Sequence, residues 1–184
     1  MVLITQSGPE TLPIGTPAPD FSLPGIDGKT HSRSSLSGGK ALVLNFTCNH
    51  CPYAQAYEDR FMALVREFAP KGVSFAAINP NDAERYPDDS FEKMKERAAA
   101  RGFNFPYLRD ESQAVARAYG AVCTPHLFVV AGGNIVYEGR IDDNWKEPAA
   151  AKQHDLRAAI EAVLAGRPVP APNTSPMGCS IKWK

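Results

Sequence analysis

The stretch Ala41-Leu42-Val43-Leu44-Asn45-Phe46-Thr47-Cys48-Asn49-His50-Cys51-Pro52 decides the fold. Its first half, residues 41–46, is an apolar run interrupted only by Asn45, and such a run predicts a strand buried in the centre of a sheet. Residues 52–69 follow with helical period. The apolar face of this predicted helix consists of Tyr57, Phe61, Leu64, Val65 and Phe68. The two cysteines therefore lie where a core strand passes into a long helix.

Outward from this stretch, strands and helices alternate. Extended segments are predicted at residues 73–78 and 105–108, and helices at residues 90–101, 112–119, where Ser112 is the expected cap, and 147–165. A hairpin is predicted at residues 127–139 around Gly132-Gly133-Asn134. Turn residues 24–28 indicate a second, N-terminal hairpin. Parallel strands joined by helices and closed by an antiparallel hairpin predict an α/β fold with a central mixed sheet flanked by helices.

Length and composition fit a soluble globular protein with one main domain. The chain has 184 residues, of which 43% are hydrophobic and 22% are charged. We expect an N-terminal arm at residues 1–12, a domain at residues 13–166 and a Pro-rich tail at residues 167–184. Lys+Arg and Asp+Glu are both 20, so no basic excess indicates a nucleic-acid partner. No apolar run approaches the roughly 20 residues of a membrane span, so no membrane partner is expected.

The cysteines point to reactive thiols. There are four in the chain, too few for a disulfide scaffold, and the first residues lack the pattern of a secretory signal. We therefore expect a cytoplasmic protein without a cofactor. Cys48 and Cys51 form a Cys-x-x-Cys pair at the predicted start of a helix, where unpaired N–H groups and a partial positive charge stabilise a thiolate. We expect Cys48 to be the more exposed, attacking thiolate, His50 to support it, and Cys51 to resolve the mixed disulfide.

A metal site is the alternative reading of the same pair. A structural zinc site needs four ligands, and no second close Cys or His pair is present. If metal binding were the function, Cys48, Cys51 and His126 would be the ligands. The strand-to-helix position favours redox chemistry over this alternative, so we predict no metal.

The chain resembles the thioredoxin superfamily, in its thiol–disulfide oxidoreductase and peroxiredoxin-like (redoxin, alkyl-hydroperoxide-reductase/thiol-specific-antioxidant) branch. The resemblance rests on residues 43–51, Thr124-Pro125, and three further segments at residues 15–23, 103–120 and 139–142. It implies a thioredoxin-like fold with a helix-strand insertion between Asn79 and Asp110. It also implies that Pro125 is cis and that Thr124 and Pro125 bind the backbone of an extended substrate.

The resemblance implies a thiol–disulfide oxidoreductase whose partners are a protein or small-molecule disulfide and a dithiol reductant. An antioxidant, peroxiredoxin-like peroxidase is the second reading. Its Pro-x-x-x-Thr-x-x-Cys pattern is absent before either cysteine, however, and Thr47 replaces the Trp usual before the first cysteine of thioredoxin-like reductases. Asn45 is near the place of the buried acid that many relatives use as proton acceptor.

Two more cysteines remain. Cys123, two residues before Pro125, should lie near the active site as a possible auxiliary thiol. Cys179 lies in the Pro-rich tail, whose apolar Ile181 and Trp183 predict that the tail docks on the domain or on a partner chain.

Overall fold

The structure, a computed structural model, describes residues 12–184. In chain order its strands and α-helices are β1 (Ser22–Pro24), β2 (Thr30–Ser32), α1 (Arg33–Leu36), β3 (Ala41–Phe46), α2 (Pro52–Phe68), β4 (Val73–Asn79), α3 (Phe91–Arg101), β5 (Tyr107–Arg109), α4 (Ala114–Tyr119), β6 (Cys123–Thr124), β7 (His126–Ala131), β8 (Asn134–Gly139), α5 (Asp155–Leu164) and β9 (Cys179–Ser180). The predicted arm at residues 1–12 lies outside this description except for its last residue.

The central sheet is mixed and has the order β5-β4-β3-β7-β8. The strand β3 is the middle one and is buried along its whole length, as its apolar run predicts. It runs parallel to β4 and antiparallel to β7, and β8 completes the predicted hairpin. The pair β1–β2 forms the predicted N-terminal hairpin. The predicted α/β class, mixed sheet and thioredoxin-like fold are confirmed.

Helices cover both faces of the sheet. On one face, α2 and α5 bury an apolar cluster that includes Tyr57, Phe61 and Ile160 against β3, β7 and β8. On the other face, α4 and the N-terminal hairpin pack over the second side of the same strands. The α2 residues in the first cluster are those of the predicted apolar face, because burial selects the side chains that recur at helical spacing. This packing fixes the N-terminus of α2 at the carboxyl end of β3.

Two predicted details are wrong. The last helix begins at Asp155 and not at residue 147: residues 148–150 form a single 3-10 turn, and Asp143 Oδ1 accepts the backbone N–H groups of Lys152 and Gln153. Those hydrogen bonds hold the chain in a loop. The N-cap of α4 is Gln113, with a left-handed φ of 63°, and not Ser112. The Gln113 side chain does not cap the helix, because its amide bonds to distant backbone, but Ser112 Oγ accepts the N–H of Ala114 at 3.3 Å.

The inserted segment between β4 and β5 is clamped to α2. Glu58, which is buried in α2, binds Arg101 Nε at 3.0 Å and also pairs with Arg97 in α3. Just before α3, residues 87–89 form a 3-10 turn that faces the loop after β3. The insertion therefore supplies one wall of the region around the two cysteines.

The tail lies along the domain, as its apolar residues predict. Its strand β9 pairs with β6 in antiparallel register, Thr124 opposite Cys179 and Cys123 opposite Ser180. Ile181 is buried and Trp183 packs against the core. The predicted boundary between the domain and the tail, after residue 166, stays a prediction. Within residues 12–184, no helix is both long and apolar enough to span a membrane.

Candidate thiol site

The helix α2 begins at Pro52, so its N-cap residue is Cys51 and not Cys48. Pro occupies the first helical position, where its missing N–H leaves no hydrogen bond unmade. The partial positive charge of the helix N-terminus therefore acts most directly on the Cys51 sulfur. Cys48 lies three residues earlier, in the loop that leaves β3.

The structure brings the two cysteines to Thr124. Cys48 Sγ lies 3.2 Å from Thr124 Oγ1, and Cys51 Sγ lies 3.2 Å from the Thr124 carbonyl oxygen. The Thr124–Pro125 peptide bond is cis, as the resemblance implies. A third sulfur, that of Cys179, lies 2.8 Å from Cys51 Sγ. Residues from the helix start, the loop before β7 and the tail thus meet at one point.

Cys48 is the more exposed of the two cysteines by a very small margin, and both are buried. Cys48 and Cys51 are only 2% and 0% exposed, and Cys179 packs directly against them. The tail strand occupies the edge beside Thr124, where an incoming chain would otherwise reach the thiols. Access from solvent therefore requires this strand to move.

The two sulfurs differ in acidity. Hydrogen bonding from the Cys48 thiol, together with the Cys179 thiol and the N–H of Ala54, lowers the pKa of Cys51 to about 5 despite its burial. Its hydrogen bond to Cys51, burial and the negative charge of Asp89 raise the pKa of Cys48 well above its ordinary value. Within this pair the pKa is lowered at Cys51 and raised at Cys48, while the role of attacking thiolate that the sequence assigns to Cys48 stays a prediction. The sequence contained the relevant observation, since Pro52 at the first helical position makes Cys51 the N-cap.

His50 pairs with a buried carboxylate. Its Nδ1 lies 2.6 Å from Asp89 Oδ2, and its ring stacks on Tyr86 with centroids 5.6 Å apart. Asp89 also accepts the N–H of Asn49 at 2.6 Å and the side-chain amide of Asn81 at 2.8 Å. His50 thus pairs with a buried acid, and its expected support of a thiolate stays a prediction.

Asp89 is the functional candidate that sequence reasoning missed. It is fully buried and its charge acts on Cys48, whereas Asn45, at the expected place of the acid, has an Oδ1 without a hydrogen-bond partner among the described residues. The acid comes instead from the 3-10 turn in the insertion, 41 positions after Cys48 in the sequence. Only the pair Asp88-Asp89 before the helix start hinted at it.

The metal alternative receives little support. Cys48, His50 and Asp89 place ligand atoms within 4.8 Å of one another. The Asp89 oxygens, however, already accept hydrogen bonds from four donors, so a metal would have to displace them. His126, a ligand in the predicted set, is not in this group; it is fully buried, and its Nδ1 accepts the N–H of Val122 at 3.3 Å.

Cys123 lies near the site, as expected, but is poorly suited to react. It is 2% exposed and its thiol donates to the Pro125 carbonyl oxygen at 3.5 Å. Burial, with smaller contributions from Cys51 and Cys179, raises its pKa to about 12.

The family is decided by a match that covers most of the chain. A model of the AhpC/TSA family matches residues 14–138. The chain belongs to this family. This AhpC/TSA chain is 31% identical over 151 residues to the thiol:disulfide interchange protein DsbE of Pseudomonas fluorescens biotype C, covering 78% of this chain and 77% of that protein.

Two further similarities extend this result. The thiol-disulfide oxidoreductase ResA of Geobacillus thermodenitrificans is 29% identical over 120 residues, covering 64% of this chain and 63% of the ResA length. The crystal structure of an uncharacterized conserved protein from Geobacillus kaustophilus superposes with a TM-score of 0.89 at 43% identity, covering 94% of this chain and 93% of that one. The similar proteins that are named for an activity include a thiol-disulfide oxidoreductase, a thiol:disulfide interchange protein and a putative peroxiredoxin.

Proposed function

We propose that this protein is a thiol–disulfide oxidoreductase in which Cys51 and Cys48 form the redox-active pair. The observation that carries the proposal is the meeting of both sulfurs with Thr124, next to the cis Pro125, at the N-terminus of α2. A helix N-terminus activates a thiolate, and a second thiol close by can resolve a mixed disulfide. The similarity to DsbE and ResA supports the same activity.

Cys51 is the attacking group and Cys48 the resolving group, which reverses the order expected from the sequence. The Cys51 thiolate attacks one sulfur of a substrate disulfide, a Cys51–substrate disulfide forms, and the other substrate sulfur leaves as a thiolate that takes up a proton. Cys48 then gives up its proton and attacks Cys51 Sγ. The second substrate sulfur leaves as a thiol, the substrate has gained two electrons, and the protein holds a Cys48–Cys51 disulfide that a dithiol reductant reopens.

Thr124 positions the substrate. Its backbone lies on a strand edge that pairs with β9, so an extended chain can form the same antiparallel hydrogen bonds when β9 is absent. In this arrangement the residue opposite Thr124 faces Cys51, as Cys179 does. Such a substrate is an extended protein segment with a disulfide.

The geometry favours this activity over that of a peroxidase. The peroxiredoxin pattern requires a threonine three residues before its reactive cysteine, and three residues before Cys51 this chain has Cys48. A second thiol at that position serves disulfide exchange.

A cytoplasmic location remains part of this proposal.

Insulin-disulfide reduction with dithiothreitol as donor tests the function. The wild-type protein should accelerate the reduction, and Cys51→Ser should abolish it. The double variant Cys48→Ser/Cys179→Ser, which lacks both thiols that can displace the substrate from Cys51, should attack once and stall as a mixed disulfide detectable by mass spectrometry. Cys123→Ala is the control for loss of a nearby thiol and should retain the acceleration. Normal turnover by Cys51→Ser would refute the assignment, and a Cys51→Ser mixed disulfide would restore the order in which Cys48 attacks.

A further inference from the structure

The C-terminal segment is bound to the domain through hydrogen bonds to its backbone. After Cys179, the backbone of Lys182 donates to Asn81 Oδ1 at 2.9 Å and accepts from the N–H of Asp82 and from Gln113 Nε2, each at 2.8 Å. Gln113 is 1% exposed, and its Oε1 also accepts the N–H of Lys184 at 2.9 Å. Buried amide groups satisfied by the tail indicate a defined docked position.

Two apolar anchors reinforce these hydrogen bonds. Ile181 is 3% exposed within the main core cluster, and its N–H donates to the Val122 carbonyl oxygen at 3.3 Å. The ring of Trp183 lies 4.3 Å from the Arg117 guanidinium. Cys179 is therefore attached to a segment fixed on its C-terminal side.

On its other side, Gly178 permits an unusually close approach to the thiol site. A Cβ atom at this position would lie 2.2 Å from the Thr124 carbonyl oxygen and 3.0 Å from Pro125 N. Both are backbone atoms that side-chain movement cannot displace. Any larger residue at position 178 would thus push the tail, and Cys179 with it, away from Cys51.

We propose that Cys179 is a third redox-active thiol, which forms a disulfide with Cys51 in exchange with the Cys48–Cys51 disulfide. This proposal rests on the proposed function, which supplies the Cys48–Cys51 disulfide. The sulfurs of Cys51 and Cys179 lie 2.8 Å apart. The tail that carries Cys179 is docked on both sides of this residue, so only a small movement separates contact from bond formation.

The exchange is an internal rearrangement. Burial, together with the hydrogen bond and charge of Cys51, raises the pKa of Cys179 to about 12 in the reduced protein. The hydrogen bond and charge of Cys51 are lost when Cys51 is in the disulfide. Cys179 then gives up its proton and attacks Cys51 Sγ, the Cys51–Cys179 bond forms, and the Cys48–Cys51 bond breaks with its electron pair on Cys48. Cys48 takes up a proton equivalent to the one that Cys179 released, so no external oxidant is consumed. The product has the tail bonded over the edge of Thr124, where a substrate would pair. Oxidation would thereby close the site until a dithiol reduces it.

Disulfide mapping tests the proposal. Full-length protein is equilibrated in glutathione buffers of increasing oxidised fraction, quenched with acid, alkylated, and digested for mass spectrometry. Wild-type protein should contain both Cys48–Cys51 and Cys51–Cys179 linkages, Cys48→Ser should contain Cys51–Cys179, and Cys179→Ser should contain Cys48–Cys51 alone. Cys123→Ala is the matched thiol control and should leave both linkages.

Gly178→Ala tests the geometry while keeping every thiol. It should lower the ratio of Cys51–Cys179 to Cys48–Cys51 about tenfold or more, because the tail loses its position beside Cys51. Gly38→Ala, whose Cβ meets nothing within 4 Å, should leave the ratio unchanged. A Cys48→Ser protein without a Cys51–Cys179 bond, in a buffer that fully oxidises wild-type protein, overturns the proposal. Failure of the wild-type protein to reduce insulin counts against the proposed function instead.

Discussion

Replacing Asp89 with asparagine should both destabilise the protein and change Cys48. Asp89 is fully buried; its Oδ1 accepts from Asn49 N–H at 2.6 Å and from Asn79 Nδ2 at 3.3 Å, and its Oδ2 faces His50 Nδ1 at 2.6 Å and Asn81 Nδ2 at 2.8 Å. An asparagine turns one oxygen into an NH₂ group that faces two donors. Two hydrogen bonds to a charged group, each contributing about 1.5–3 kcal/mol, are then lost, so the free energy of unfolding should fall by about 3–5 kcal/mol.

The same change removes a negative charge that raises the pKa of Cys48. In a Cys51→Ala background, where the Cys51 contribution is absent, Asp89→Asn should lower the Cys48 pKa and increase its alkylation by iodoacetamide at pH 9. Urea unfolding followed by circular dichroism measures the stability, and peptide mass spectrometry measures the alkylation. The control is Asp88→Asn, an exposed neighbour, which should change the stability by less than about 0.5 kcal/mol. A loss below about 1 kcal/mol, or an unchanged Cys48 alkylation rate, would refute this account of the acid.

Three further predictions concern His126, Gly139 and His50. Burial lowers the pKa of His126 to about 3, so the unfolded chain binds a proton below pH 6.5 that the folded chain does not; from pH 7 to pH 4.5 this should cost about 2–3 kcal/mol, and His126→Leu should lose less stability over that range in urea unfolding. Gly139→Ala would place a Cβ 2.0 Å from Thr174 Oγ1 at a φ of +145°, so it should lower the free energy of unfolding by about 2 kcal/mol or more, unlike Gly38→Ala. The reduction potential of Cys48–Cys51 should lie above the thioredoxin value of about −270 mV and fall in His50→Ala, as measured in glutathione buffers; a wild-type value at or below that of thioredoxin would contradict this role of His50.

The sequence pattern predicted those strands and helices whose burial is visible in consecutive residues. The strand β3 at residues 41–46 and the helix that begins at Pro52 were predicted with the observed starts, because burial on both sides and helical spacing appear in consecutive residues. The last helix was predicted too long for the opposite reason. Residues 147–154 have acceptable helical composition, but Asp143 holds the backbone of Lys152 and Gln153, a contact that spacing does not reveal.

The candidate site was predictable in its cysteines and in Thr124-Pro125, but not in its environment. Asp89 and Cys179 reach the cysteines from 38 and 128 positions beyond Cys51, and only the folded chain brings them together. The pKa order of Cys48 and Cys51 depends first on the hydrogen bond between them, then on burial, and only after that on these long-range groups. The motif therefore identified the two sulfurs to which the proposed function assigns the reaction, while residues outside the motif complete their surroundings.

The docked tail also determines which substrates can compete for Cys51. A segment tethered to its own binding site acts at an effective concentration on the order of millimolar, and here the anchors at Ile181 and Lys182 add to that advantage. A protein substrate present at a much lower concentration must therefore bind the Thr124 edge more tightly than β9 does. Small disulfides that do not pair with Thr124 gain nothing from that edge and still meet a sulfur that is 0% exposed. Under the proposed function, the arrangement would thus favour extended protein segments that replace β9 along the strand.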